Sequence, residues 1–86
     1  METVSPAQIA DTLREEIAII TGREKNEVEP DKSLAENGIN SLGFVELLLA
    51  VEKHFGIKLM ENAMSNADIS SVNALAAKIE KITRKN

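Results

Sequence analysis

The chain divides into stretches where apolar residues recur at helical spacing, separated by polar and glycine-marked connections. Ile9, Leu13, Ile17 and Ile20 form the first stripe, with Asp11, Arg14, Glu15 and Glu16 mostly off it. That period predicts a helix over 5–21. Ser5, Pro6 and Gln8 supply an N-cap, a first-turn proline and a capping box, and Val4 and Ile9 are spaced as a hydrophobic staple. Gly22 is the expected stop. Phe44, Leu47, Leu48, Val51 and Phe55 form a second stripe, predicting a helix over 41–55 closed by Gly56. Val72, Leu75, Ala76, Ile79 and Ile82 form a third, predicting a helix over 72–84 capped by Ser71, with Lys78, Lys81 and Arg84 suited to its C-terminal dipole. Residues 61–68 read as a short further helix, with Met60 and Met64 able to share a face. Residues 22–39 read as a long ordered loop, punctuated by Pro30 and Gly38 and anchored by Val28, Leu34 and Ile39; Asp31, Lys32 and Ser33 can open one helical turn in it. Ile57 and Leu59 read as buried after the second helix.

One stripe does not exhaust the second helix. Leu42, Val45 and Leu49 follow i, i+3, i+7 spacing on an adjacent strip, bordered by Glu46 and Glu52. Either Val45 and Leu49 widen the core face, or the strip docks a partner, apolar at its centre and acidic at its edges. Gly43, in the first turn, costs roughly 1 kcal/mol relative to Ala. It is either a tolerated weak residue near a helix end or a bare spot that lets another surface or a tethered group approach Ser41.

Composition narrows the class. Hydrophobic residues make up 43% of the 86 positions and aromatic residues only 2%, so the core must be aliphatic, which suits helices. The length fits one domain, 1–86. The absence of cysteine excludes a disulfide framework and a zinc–thiolate site, so any thiol chemistry has to arrive on a prosthetic group. Residues 1–71 carry 6 basic and 13 acidic side chains; residues 72–86 carry 4 and 1. An acidic body argues against nucleic acid and for basic protein surfaces. No apolar run has membrane-spanning length, and the N-terminus lacks a signal peptide's pattern, so no membrane association and a cytoplasmic, monomeric protein are expected.

Catalytic candidates are few. His54 is the only histidine. It lies 13 residues from Ser41 on the same predicted helix, about 20 Å along the axis, too far to act as its base. No P-loop, EF-hand or HExxH pattern occurs. The chain reads as a non-enzyme. Ser41 then stands as a substrate: a phosphate attached there would meet the free N–H groups and positive dipole end of a helix.

The stretch "VEPDKSLAENGINSLGFVELLLAVEKHFGIKL", Val28 to Leu59, resembles the acyl carrier protein family, which includes peptidyl and aminoacyl carriers. Asn40-Ser41-Leu42 stands where the family has Asp-Ser-Leu, preceded by Leu34 and Gly38. Val45-Glu46-Leu47, Glu52 and Phe55-Gly56-Ile57 follow the family's continuation, and Ser71 to Ile79 is similar to the start of its last helix. The resemblance implies an all-α, four-helix bundle of acyl-carrier type with a long first loop and a short third helix. It implies 4′-phosphopantetheine on Ser41, holding acyl or aminoacyl groups as thioesters, and a partner face of Leu42, Val45, Glu46, Leu49 and Glu52. The implied partners are a phosphopantetheinyl transferase, an acyl-loading ligase or acyltransferase, and condensing or tailoring enzymes. Asn40, Gly43 and Lys53 depart from the pattern; the latter two stand where fatty acid carriers are often acidic. This favours a dedicated carrier in a specialised fatty acid, polyketide or nonribosomal peptide pathway. The alternative is an unmodified helical interaction module that keeps the carrier fold.

Overall fold

The computed structural model describes residues 5–59 and 64–85. Three α-helices carry the fold: α1 (Pro6–Thr21), α2 (Ser41–Phe55) and α3 (Val72–Lys85), with 3₁₀ turns at Lys25–Glu27 and Asn66–Ile69. α1 packs against both other helices, most extensively against α3.

The helix boundaries follow their caps. The Ser5 N–H donates to Gln8 Oε1 (3.0 Å) and the Gln8 N–H to Ser5 Oγ (3.2 Å), a reciprocal capping box. Gly22 and Gly56 end α1 and α2 in left-handed conformation. The Ser71 hydroxyl accepts from the Ala74 N–H (2.9 Å) at the start of α3. The expected Val4–Ile9 staple and the Met60 position lie outside the described residues.

The core is aliphatic. Ile9, Leu13 and Ile17 of α1, Leu47, Leu48 and Val51 of α2, and all five apolar-stripe residues of α3 are buried. Ile20, Phe44 and Phe55, expected in the core, pack against it only partly buried, as does Met64. Ile57 and Leu59 are buried as expected.

The long loop is held as its three anchors require: Val28, Leu34 and Ile39 are all buried. Two features of it were not legible beforehand. Its first part is the 3₁₀ turn at Lys25–Glu27, pinned to α1 by an Arg14 side-chain bond to the Lys25 carbonyl (3.2 Å). Its second part winds around Asn37, which is 1% exposed. Asn37 Oδ1 accepts from the Glu29 N–H (2.8 Å), and its Nδ2 donates to the carbonyls of Glu29 and Ser33 (both 2.9 Å). A side-chain amide thus replaces the backbone partners that a loop lacks. The expected turn opens at Ser33, where Ser33 and Glu36 bond each other's N–H groups. The Lys32 and Pro30 carbonyls accept from the Val72 and Asn73 N–H groups, stitching the loop to the start of α3.

The short helix expected over 61–68 falls partly outside the described residues, at 61–63, and the chain beyond forms a 3₁₀ turn at Asn66–Ile69. The Ser65 N–H donates to Asp68 Oδ2 (2.9 Å) and the Ser70 hydroxyl to the Ala67 carbonyl (2.8 Å). The Ser65–Asp68 bond is a capping-box bond that starts the 3₁₀ turn, and α3 begins at Val72. The described residues form three α-helices and the 3₁₀ turns at Lys25–Glu27 and Asn66–Ile69. No helix among them is long and apolar enough to cross a membrane.

Candidate functional site

The loop delivers the chain to α2 at Asn40. Asn40 has extended backbone angles and is the N-cap: its Oδ1 accepts from the Gly43 N–H at 2.8 Å, while its carbonyl accepts from the Phe44 N–H at 2.8 Å. Ser41 is therefore the first residue of the helix and not its cap. It is exposed, and its hydroxyl makes no hydrogen bond among the described residues. The N–H groups of Ser41 and Leu42 stay at the open helix end, where an anionic substituent on the hydroxyl is favoured.

The approach to Asn40 depends on glycine at Gly38. Its φ of +93° lies in the left-handed region, and a Cβ there would come within 3.1 Å of the Arg23 guanidinium. Gly43 is a correction to both expectations for it. It is neither a tolerated weak residue nor a bare spot beside Ser41: it is buried and faces α1. A Cβ there would lie 3.2 Å from Ile20 Cγ2 and 3.4 Å from the capping Asn40 oxygen. The glycine lets the end of α1 seat against the first turn of α2.

Beside Ser41 opens a cleft of about 220 Å³. Leu34, Ala35, Ile39, Phe44 and Ile69 form apolar walls, and Asn40 and Ser41 complete the lining. The partly buried state of Phe44 and Ile69 belongs to this opening. Ile69 could not be foreseen as a neighbour of Ser41, since its placement depends on the 3₁₀ turn before α3.

The second stripe of α2 is at the surface. Leu42 is 69% exposed, Val45 45% and Leu49 58%. Val45 and Leu49 do not widen the core face. Glu46, Glu52 and Lys53 are exposed beside them. His54 lies in the last turn of α2 and contacts Glu16 of α1, Nε2 to Oε2 at 3.1 Å. Since α2 is continuous from Ser41 to Phe55, its rise of about 1.5 Å per residue keeps His54 about 20 Å from Ser41.

The residues present fit a phosphopantetheine arm. The hydroxyl is bare, the helix end is open, the capping residue is a neutral amide, and an apolar cleft adjoins the attachment point. A small helical fold with such a serine is suited to carrying a covalently attached group.

Residues 11–79 match the family described as "Phosphopantetheine attachment site". The chain is 32% identical over 83 residues to the meromycolate extension acyl carrier protein of Mycolicibacterium aurum, covering 95% of this chain and 84% of that protein. It is 33% identical over 75 residues to the one from Mycolicibacterium smegmatis, covering 86% and 74%. It is 30% identical over 84 residues to the one from Mycobacterium tuberculosis strain H37Rv, covering 96% and 71%. No solved structure gives a significant match. The chain belongs to the acyl carrier protein family, and 4′-phosphopantetheine is its prosthetic group.

Proposed function

We propose that Ser41 carries the 4′-phosphopantetheine arm and that the protein presents acyl intermediates to partner enzymes through the outer face of α2. The observation that carries this reading is the division of labour at the helix mouth: Asn40 caps α2, leaving the Ser41 hydroxyl exposed and unbonded. The arm, when attached, supplies a terminal thiol that holds the acyl group as a thioester. The protein's own residues anchor and orient it. The open N–H groups of Ser41 and Leu42 favour the phosphodiester charge, and the cleft walled by Leu34, Ile39, Phe44 and Ile69 offers apolar contact beside it. The chain performs no chemistry of its own in this reading; His54 is too distant from Ser41 to serve as its base, so each partner brings its catalytic groups.

Leu42, Val45 and Leu49 are the docking strip, with Glu46 and Glu52 as its acidic rim. Rim charges act chiefly on encounter rate and its salt dependence. Partners are the phosphopantetheinyl transferase, an acyl-loading ligase or acyltransferase, and condensing or tailoring enzymes. The names of the relatives favour a fatty acyl cargo over a polyketide or peptidyl one. Residues 1–86 act as one monomeric carrier domain in the cytoplasm. Acyl loading tests the proposal. The holo protein should take up a labelled acyl group that neutral hydroxylamine releases, and the Ser41→Ala variant should take up none. Label that resists hydroxylamine, or that persists on Ser41→Ala, would sink it.

A further inference from the structure

The described residues expose four large apolar side chains: Ile19, Leu42, Val45 and Leu49. Three form the strip on α2. The fourth, Ile19, belongs to α1 and is the most exposed of them at 74%. Single exposed apolar residues are ordinary on protein surfaces. Ile19 and Leu42, however, each adjoin in sequence a residue of the contact between the end of α1 and the first turn of α2, Ile20 and Gly43.

One contact locates the turn that carries Ile19: Ile20 Cγ2 lies 3.2 Å from the Cβ position of Gly43, in the first turn of α2. Ile19 adjoins Ile20 in sequence and is exposed. Ile19 thus leaves the turn of α1 that seats on Gly43, on the solvent side of the seam. On α2, Leu42 adjoins Gly43 in sequence, and Glu46 lies one turn beyond it. The fold itself gives no reason for an isoleucine here: the position buries little surface, and β-branched residues are not favoured in helices.

We infer that the docking face continues across the seam onto α1, and that Ile19 is part of the surface bound by the phosphopantetheinyl transferase. The inference rests on the reading of Ser41 as the attachment site. The chemistry selects this partner. In the transfer, Ser41 Oγ forms a new bond to the phosphorus that bears the pantetheine. The pyrophosphate P–O bond of coenzyme A breaks, the serine proton goes to a base on the transferase, and 3′,5′-adenosine bisphosphate leaves. Enzymes that act on the cargo work at the far end of the arm. The transferase must instead bring its catalytic groups to Ser41 itself, and so must sit on the ground around the mouth of α2. Its donor is a polyanion, so the transferase needs cationic groups beside that mouth. Those cations are complementary to exposed Glu46. Leu42 and Ile19 flank the same ground with apolar surface.

The test uses the full-length apo protein with coenzyme A and a broad-specificity transferase. Ile19→Ser, Ile19→Leu and Leu49→Ser are compared with wild type by steady-state kinetics, by titration against the transferase, and by thermal melting. Ile19→Ser should lower kcat/KM roughly fivefold or more, through KM, with a matching rise in Kd and an unshifted melting temperature. Ile19→Leu should restore most of the loss. Wild-type behaviour of Ile19→Ser beside an impaired Leu49→Ser would overturn the extension onto α1 while leaving the α2 face standing. Wild-type behaviour of both would overturn the extension and the α2 face together for this enzyme. A fall of several degrees in the Ile19→Ser melt would make Ile19 structural and overturn the inference. If wild-type protein takes no arm at all, the fault lies with the reading of Ser41.

Discussion

Replacing Asn40 and Ser41 separately by alanine should have opposite consequences, although the residues are adjacent at the same helix end. Asn40 Oδ1 accepts the Gly43 N–H at 2.8 Å, so Asn40→Ala strips one orphan donor of its partner. Loss of such a cap costs about 1 kcal/mol, within a range of about 0.5–2. For a domain of 86 residues, that lowers the melting temperature by about 4–8 °C. Ser41 is exposed, and its hydroxyl is unbonded among the described residues. Ser41→Ala therefore removes no interaction of the fold. Alanine is also the better helix former, by a few tenths of a kcal/mol. The expected change in stability is within about 0.5 kcal/mol of zero, or about 4 °C at most. Melts followed by circular dichroism on both variants, with modification by the transferase measured on each, give the two readouts. Asn40→Ala should melt early and still accept the arm. Ser41→Ala should melt like wild type and accept nothing. Equal destabilisation of Ser41→Ala and Asn40→Ala would make the serine a cap as well as a handle and refute this division of roles.

Other outcomes rest on the same structure. Leu48→Ala should cost about 2–5 kcal/mol in urea unfolding, as a buried leucine does, whereas Val45→Ala and Leu49→Ala should leave stability within about 0.5 kcal/mol; equal losses would return the outer strip to the core. Asn37→Ala leaves the Glu29 N–H and the carbonyls that Asn37 serves without that partner, and should cost about 2–4 kcal/mol; an unchanged midpoint would refute the loop's dependence on it. The Ser65 backbone N–H, with a smaller contribution from Lys78, holds the Asp68 carboxyl below the usual carboxylate range despite the opposing cost of desolvation. The folded state then binds that proton less readily, so the contribution is present above the ordinary carboxylate pKa and is lost as pH falls through the lowered one. Asp68→Asn should flatten the acid limb of the stability profile, and an acid limb identical to wild type would refute it.

Periodicity and capping chemistry made much of the fold legible in the sequence. The α1 stripe from Ile9 to Ile17 and the α3 stripe from Val72 to Ile82 lie where their spacing puts them, because each apolar face has one place to be buried. Ser5, Ser71, Gly22 and Gly56 mark their helix ends by local bonds and backbone angles that need no tertiary partner. The outer strip of α2 was visible because it exceeds what one core face can use. The hidden parts depend on contacts distant in sequence. Gly43 carries no sign that Ile20 packs on it. Nothing in the sequence singles out Asn37, and only the folded loop reveals the backbone groups converging on it. The 3₁₀ turn at Asn66–Ile69 is held by local side-chain bonds of Asp68 and Ser70, which apolar periodicity does not register. The cleft beside Ser41 escaped for a related reason: Leu34, Phe44 and Ile69 meet only after the loop is stitched to α3.

The central claim, that Ser41 is the one point of attachment, is tested most directly by intact mass. Wild-type protein and Ser41→Ala are each incubated with coenzyme A and a broad-specificity phosphopantetheinyl transferase, and fragmentation locates any added mass. A single phosphopantetheine is expected on the wild type, located at Ser41, and none on Ser41→Ala. Arm mass that survives the substitution, or that maps to another serine, would contradict it.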